Sequence, residues 1–194
     1  MSSHHIGFGS VAMIRAYHFV GPKLRDGSVI PADGEWLEYK GALVMCESGL
    51  HASRHPFDAL QYAPGATLCL VDIDGELIEQ DDKLIARRRR IVARFDATDL
   101  LWAMSRWCAL QVIHLWDAPA IVREYLETGD ESKRAAAGAA ACAAARAPAR
   151  AAAWAAACAA ARAPARAAAW AAACAAQRAH FQEMVNAEFA RAQA

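Results

Sequence analysis

A chain of 194 residues allows one or two domains, and its 21 basic and 21 acidic side chains cancel. The apolar fraction of 56% overstates the core, because residues 135–179 are mostly alanine, which buries little area at about 25 cal/mol per Å². No 18-residue run is both strongly apolar and uncharged, which excludes a membrane-spanning helix; with no secretory apolar segment at the N-terminus, the reducing cytosol is the expected compartment.

Residues 1–12, with His4 and His5, read as a flexible leader. The first strand is expected over Met13–Val20, where apolar and polar residues alternate, and Gly21-Pro22 ends it. Ala42–Cys46 reads as a short buried strand, followed by a turn through Glu47-Ser48-Gly49. Pro56 suits the first position of a helix that runs to about Tyr62 and stops before Pro64-Gly65. Thr67–Asp74 alternates as a strand, Asp74-Gly75 fits a tight hairpin turn, and Ile91–Phe95 makes another strand. Thr98 is placed to cap a helix carrying Leu101, Met104, Trp107 and Cys108, and Gly129 to stop a second one begun at Pro119. Strands come first and helices follow. The expected class is α+β: a small, mainly antiparallel sheet with short helices over residues 13–130, then a long alanine-rich helical arm.

That arm, residues 131–179, contains Ala139–Trp154 repeated letter for letter as Ala155–Trp170. Alanine favours helix, but marked positions four residues apart drift by about 40° each, so no single apolar stripe forms for a coiled-coil seam. Pro148 and Pro164 each remove a donor and clash with the preceding turn, leaving either a twice-kinked helix or a stack of short ones. Residues 180–194 form an amphipathic helix with Phe181, Met184, Val185 and Phe189 at helical spacing, suited to docking on the core or on another subunit.

Charge is unevenly spread: residues 1–130 carry 13 basic and 18 acidic side chains, residues 131–194 carry 8 and 3. The basic arm has either an anionic partner such as nucleic acid or arginines that keep an alanine helix in solution. Six cysteines fall at no zinc-finger spacing, so no metal is expected.

The densest polar cluster is Cys46–Pro56, between an expected strand and a helix start. His51 within it is a candidate general base, or a ring that pins the turn; His18, mid-strand, is a candidate catalytic group or a satisfied core histidine. Arg87–Arg90 would split between two faces of a strand, with Asp81-Asp82 upstream to neutralise some of them. No phosphate-binding loop, GxSxG or HExxH motif occurs.

The run C-E-S-G-L-H-A-S at Cys46–Ser53, followed by Pro56 and Asp58, resembles a signature of an uncharacterised domain family of bacteriophage, prophage and bacterial proteins. The strand around Ala16–Phe19, the Asp81-Asp82-Lys83 element and Trp107–Gln111 extend the resemblance over most of residues 13–130. The first reading is a non-catalytic interaction module of phage or prophage type, in which the compact domain binds a protein partner and the alanine arm and C-terminal helices extend or oligomerise it. The order of Tyr17-His18, the Gly-Leu-His-Ala-Ser turn, the helix ending at Tyr62 and the strand Thr67–Asp74 is also similar to ADP-ribosyltransferase cores. That likeness implies NAD as cofactor, His18 and His51 as catalytic residues, and Tyr17, Ser53 and Tyr62 as cofactor contacts. His51 and Ser53 stand where such enzymes often carry an aromatic, and Glu76 and Glu124 are the available carboxylates. Nucleic-acid binding through the basic arm is the third reading.

Overall fold

A computed structural model describes residues 13–145 and 165–192. The expected leader, and Pro148 and Pro164 with the choice between a kinked and a stacked arm, lie outside the described residues.

Five strands form one antiparallel sheet: β1 (Ile14–Val20), β2 (Trp36–Glu38), β3 (Leu50–Ala52), β4 (Thr67–Glu79) and β5 (Leu84–Asp96). The path runs β1-β4-β5-β2, with β3 also on β5. β4 and β5 make a long hairpin that is the spine of the sheet. The hairpin does not turn at Asp74-Gly75. The register slips between Asp74 and Leu77, Gly75 takes a φ of 81°, and the strand continues to Glu79. A glycine that accepts positive φ can be absorbed as one extra residue in a bulge. Leu77 and Ile78 then still find Ala86 and Ile85 across the ladder. The reversal comes at Gln80–Lys83, where the Gln80 amide donates to the Lys83 carbonyl at 2.8 Å. For the same reason the second hairpin strand begins at Leu84, well before Ile91.

Ala42–Cys46 is not a buried strand either. Val44 is 41% exposed, Cys46 takes a φ of 69°, and the Val44 amide donates to the Ser48 carbonyl at 3.2 Å in a tight loop. The free edge of β5 is already taken by β2 at Arg88–Arg90 and by β3 at Leu84–Ala86, so the segment between them has no edge to join.

Ser53, just after β3, exchanges both backbone hydrogen bonds with Tyr17 of β1, at 2.8 and 2.9 Å. β3 therefore reaches both β5 and β1, and the sheet curls toward closure. Ala16, Val20, Ala52, Cys69, Val71, Ile73, Leu84, Ala86 and Ile91 form the core cluster of this curl. Asp72 (1% exposed) belongs to a charged ladder: it pairs with Arg15 and Arg90, each at 2.8 Å. Trp36 carries the guanidiniums of Arg88 and Arg90 over its ring at 4.6 and 4.8 Å.

The helices are α1 (Pro56–Leu60), α2 (Thr98–Gln111), α3 (Ala120–Thr128), α4 (Glu131–Ala145) and α5 (Ala165–Ala192). Contacts divide the chain into two compact units, one holding the described residues up to Thr98 together with those from Phe181 onward, the other Asp99–His180. In the first unit the end of α5 completes the core. Phe181 packs edge-on against Phe57 (6.1 Å between centroids) and Phe189 against Phe95 (4.9 Å). Phe181 and Val185 are fully buried against the core of the same chain, one of the two docking surfaces that their spacing allowed. Each such side chain contributes about 1.5–3 kcal/mol by leaving water.

In the second unit α3 stops at Gly129, whose φ of 68° lets its amide return to the Tyr125 carbonyl at 2.8 Å. Asp130 then caps α4 by accepting the Ser132 amide at 3.0 Å. The Arg134 guanidinium lies 3.8 Å from the Trp102 ring centre, and Trp107 stacks on His180 at 4.3 Å. Among the described residues no helix is long and apolar enough to cross a membrane. The architecture is α+β, with an antiparallel sheet, short helices and a C-terminal helix.

Candidate functional site

Alternation along β1 sends His18 to the same side as the buried Ala16 and Val20, while Tyr17 and Phe19 go to the other. His18 stands opposite Cys69 of β4. It shows part of its surface to solvent, yet the ring sits deep enough that burial holds its pKa well below 6.5. Arg89 and then His51 add to that lowering as nearby positive charge, so three residues from three strands share one locality.

His51 is the middle residue of β3, between the buried Leu50 and Ala52. Its Nδ1 donates to the Gly49 carbonyl at 3.1 Å, which leaves Nε2 with the lone pair of the neutral ring. Burial lowers its pKa too. Gly49 makes this placement possible. It has a φ of 112°, and an added Cβ would lie 2.9 Å from Leu43 Cδ2 and 3.3 Å from Ile85 Cβ.

Arg89 joins the two histidines. It lies on β5 between Ile73 of β4 and Leu37 of β2, is 7% exposed, and donates from Nη1 to the His51 carbonyl. Burial brings its pKa down to about 10, with Cys69 opposing the shift. Among the described residues no carboxylate forms an ion pair with it. Its neighbours in sequence behave otherwise: Arg87 pairs with Glu76, Arg88 with Asp74 and Arg90 with Asp72. Arg89 did not stand out in the sequence as a site residue. The signal was present in the run of four arginines, since one member of such a strand must face inward.

The other expected site residues do not converge on this group. Ser53 is 1% exposed and meets Tyr17 through backbone bonds, while the Tyr17 hydroxyl accepts from Gln182 Nε2 at 2.8 Å on the side covered by α5. Tyr62 is 51% exposed and donates to Asp82 beside the hairpin turn, with Lys83 over its ring at 5.0 Å. Glu76 is held by Arg87, and Glu124 by Lys133 in the second unit. Among the described residues no group of three His, Cys, Asp or Glu side chains is arranged to hold a metal ion.

Chemically, then, the locality offers one buried guanidinium, two imidazoles favoured in the neutral form, and a thiol that burial raises to about 11. A group of this kind can hold an anion. Its thiol is no ready nucleophile, because the thiolate is disfavoured.

No curated protein and no solved structure matches the chain. A family model described as a domain of unknown function, DUF7666, does match, and its reach from Ile14 through the first half of the α2 sequence takes in all five strands and the His18–His51–Arg89 group. The chain thus carries a DUF7666 domain at residues 14–103.

Proposed function

We propose that this domain is a non-catalytic interaction module of phage and prophage type, one that holds a partner and transforms nothing. The supporting observation is that His18 and His51 have a buried arginine as their charged neighbour instead of a carboxylate. ADP-ribosyl transfer breaks the bond to nicotinamide through a ribose that becomes cationic, and glycosyl chemistry of that kind is assisted by a nearby carboxylate. A guanidinium in low dielectric opposes the same charge. The two glutamates available for that role, Glu76 and Glu124, are paired with Arg87 and Lys133. The likeness of Cys46–Ser53 to the phage and prophage signature agrees with a module.

Nicotinamide release from NAD by the whole chain is the test. The expected rate equals that of buffer alone. Release that disappears in a folded His18→Ala variant overturns the module reading and restores the transferase.

A further inference from the structure

We infer that Arg89 is the anchor of a carboxylate-binding site inside the curl of the sheet, and that the group it takes from a partner is a single carboxylate. The inference rests on the module reading and gives that module its ligand chemistry.

A buried cation without a counter-charge is costly, and such groups are paired or ligated in folded proteins. Arg89 makes one side-chain hydrogen bond among the described residues, from Nη1 to the His51 carbonyl, and has no carboxylate at ion-pair distance. No buried side-chain nitrogen among the described residues is sealed off without a partner. The other guanidinium nitrogens are therefore not wholly sealed from solvent. His18 and His51 beside it are both part-exposed, so the locality is reachable from solvent.

The geometry of the group chooses the anion. A guanidinium presents parallel N–H donors in a plane, which match the two oxygens of a carboxylate. Charge makes the same choice: one buried positive charge is neutralised by one carboxylate, whereas a phosphate dianion leaves a surplus negative charge inside. Burial disfavours protonation of the two histidines that would be needed to absorb it.

A carboxylate can come from a free small acid or from a polypeptide, as its chain end or an acidic side chain. The experiment uses the whole chain and follows thermal unfolding in sodium acetate and in sodium chloride at equal ionic strength. Acetate is expected to raise Tm by roughly 4 °C or more at tenfold excess over its Kd, and the rise should vanish in Arg89→Met. Equal Tm in the two salts overturns the inference, as does a rise retained in Arg89→Met. Should that variant fail to fold, the Arg89 side-chain NMR signals of the unaltered protein decide: movement with acetate supports the site and none overturns it. Short peptides with free and amidated C-termini then identify the source. Competition by the free form alone assigns a chain end, competition by acid-bearing amidated peptides assigns a side chain, and acetate binding without peptide competition assigns a small acid. Failure of the acetate response leaves the module reading standing. Nicotinamide release would remove the module and leave the acetate result to be read alone.

Discussion

Arg89 Nη1 donates to the main-chain carbonyl of His51, so a side chain midway along a thirteen-residue strand holds the centre of a three-residue one. The short strand keeps its place through this bond, its pairing with Leu84–Ala86 and the bridge from Ser53 to Tyr17. Gly49, at its entrance, is the weak point of the arrangement.

Gly49→Ala is expected to cost about 1–3 kcal/mol, because a side chain at a φ of 112° is strained and its Cβ meets Ile85 Cβ at 3.3 Å. Urea denaturation followed by circular dichroism should show a lower midpoint with an unchanged slope. An unchanged midpoint would mean that the loop before β3 relaxes freely.

Phe181→Ala is expected to destabilise the first unit by about 3–5 kcal/mol, since the ring is fully buried and edge-on to Phe57. Gln182→Ala removes one hydrogen bond to Tyr17 and should cost only about 0.5–1.5 kcal/mol. Equal effects from the two variants in the same denaturation experiment would contradict the burial of Phe181.

Acid should weaken the fold through His18. Its folded pKa lies well below 6.5, so above that pH both folded and unfolded chains carry a neutral ring and the group contributes no pH dependence. As pH falls through 6.5 the unfolded chain takes up the proton first, and stability drops by up to about 1.4 kcal/mol per pH unit until the folded pKa is reached. His51 acts in the same direction. Unfolding free energies between pH 5 and pH 8 should show this slope, and His18→Gln should flatten it.

Thiol labelling should separate Cys46 from Cys69. Cys46 is exposed; Cys69 is buried and its pKa is raised to about 11. Reaction requires the thiolate. With iodoacetamide at pH 8 and peptide mapping by mass spectrometry, Cys46 should label in the native protein and Cys69 only after unfolding.

Local chemistry made several elements legible in the sequence. The alternation of Ile14–Val20, Pro56 opening α1, and Gly129 closing α3 each act through backbone preferences that neighbours do not override. Asp74-Gly75 misled because a glycine with positive φ serves a bulge as well as a turn, and only the pairing of Leu77 with Ala86 decides between them. Ala42–Cys46 misled because an apolar run becomes a strand only where an edge is free. At the candidate site, His18 and His51 were visible as residues but their meeting was not, since it depends on the curl closed at Ser53 and Tyr17. Arg89 was hidden among three arginines that each have an acid partner.

The docking of Phe181 and Phe189 has a consequence for synthesis. The strands and α1 leave the ribosome early, yet Phe57 waits for a ring encoded 124 residues later and Phe95 for one encoded 94 residues later. At ordinary translation speeds those intervals last roughly 5–25 s. Throughout them an apolar surface stays uncovered on a nascent chain. The later part of the stretch emerging meanwhile, largely alanine over 135–179, adds only Trp154 and Trp170 as bulky apolar side chains able to settle there in error.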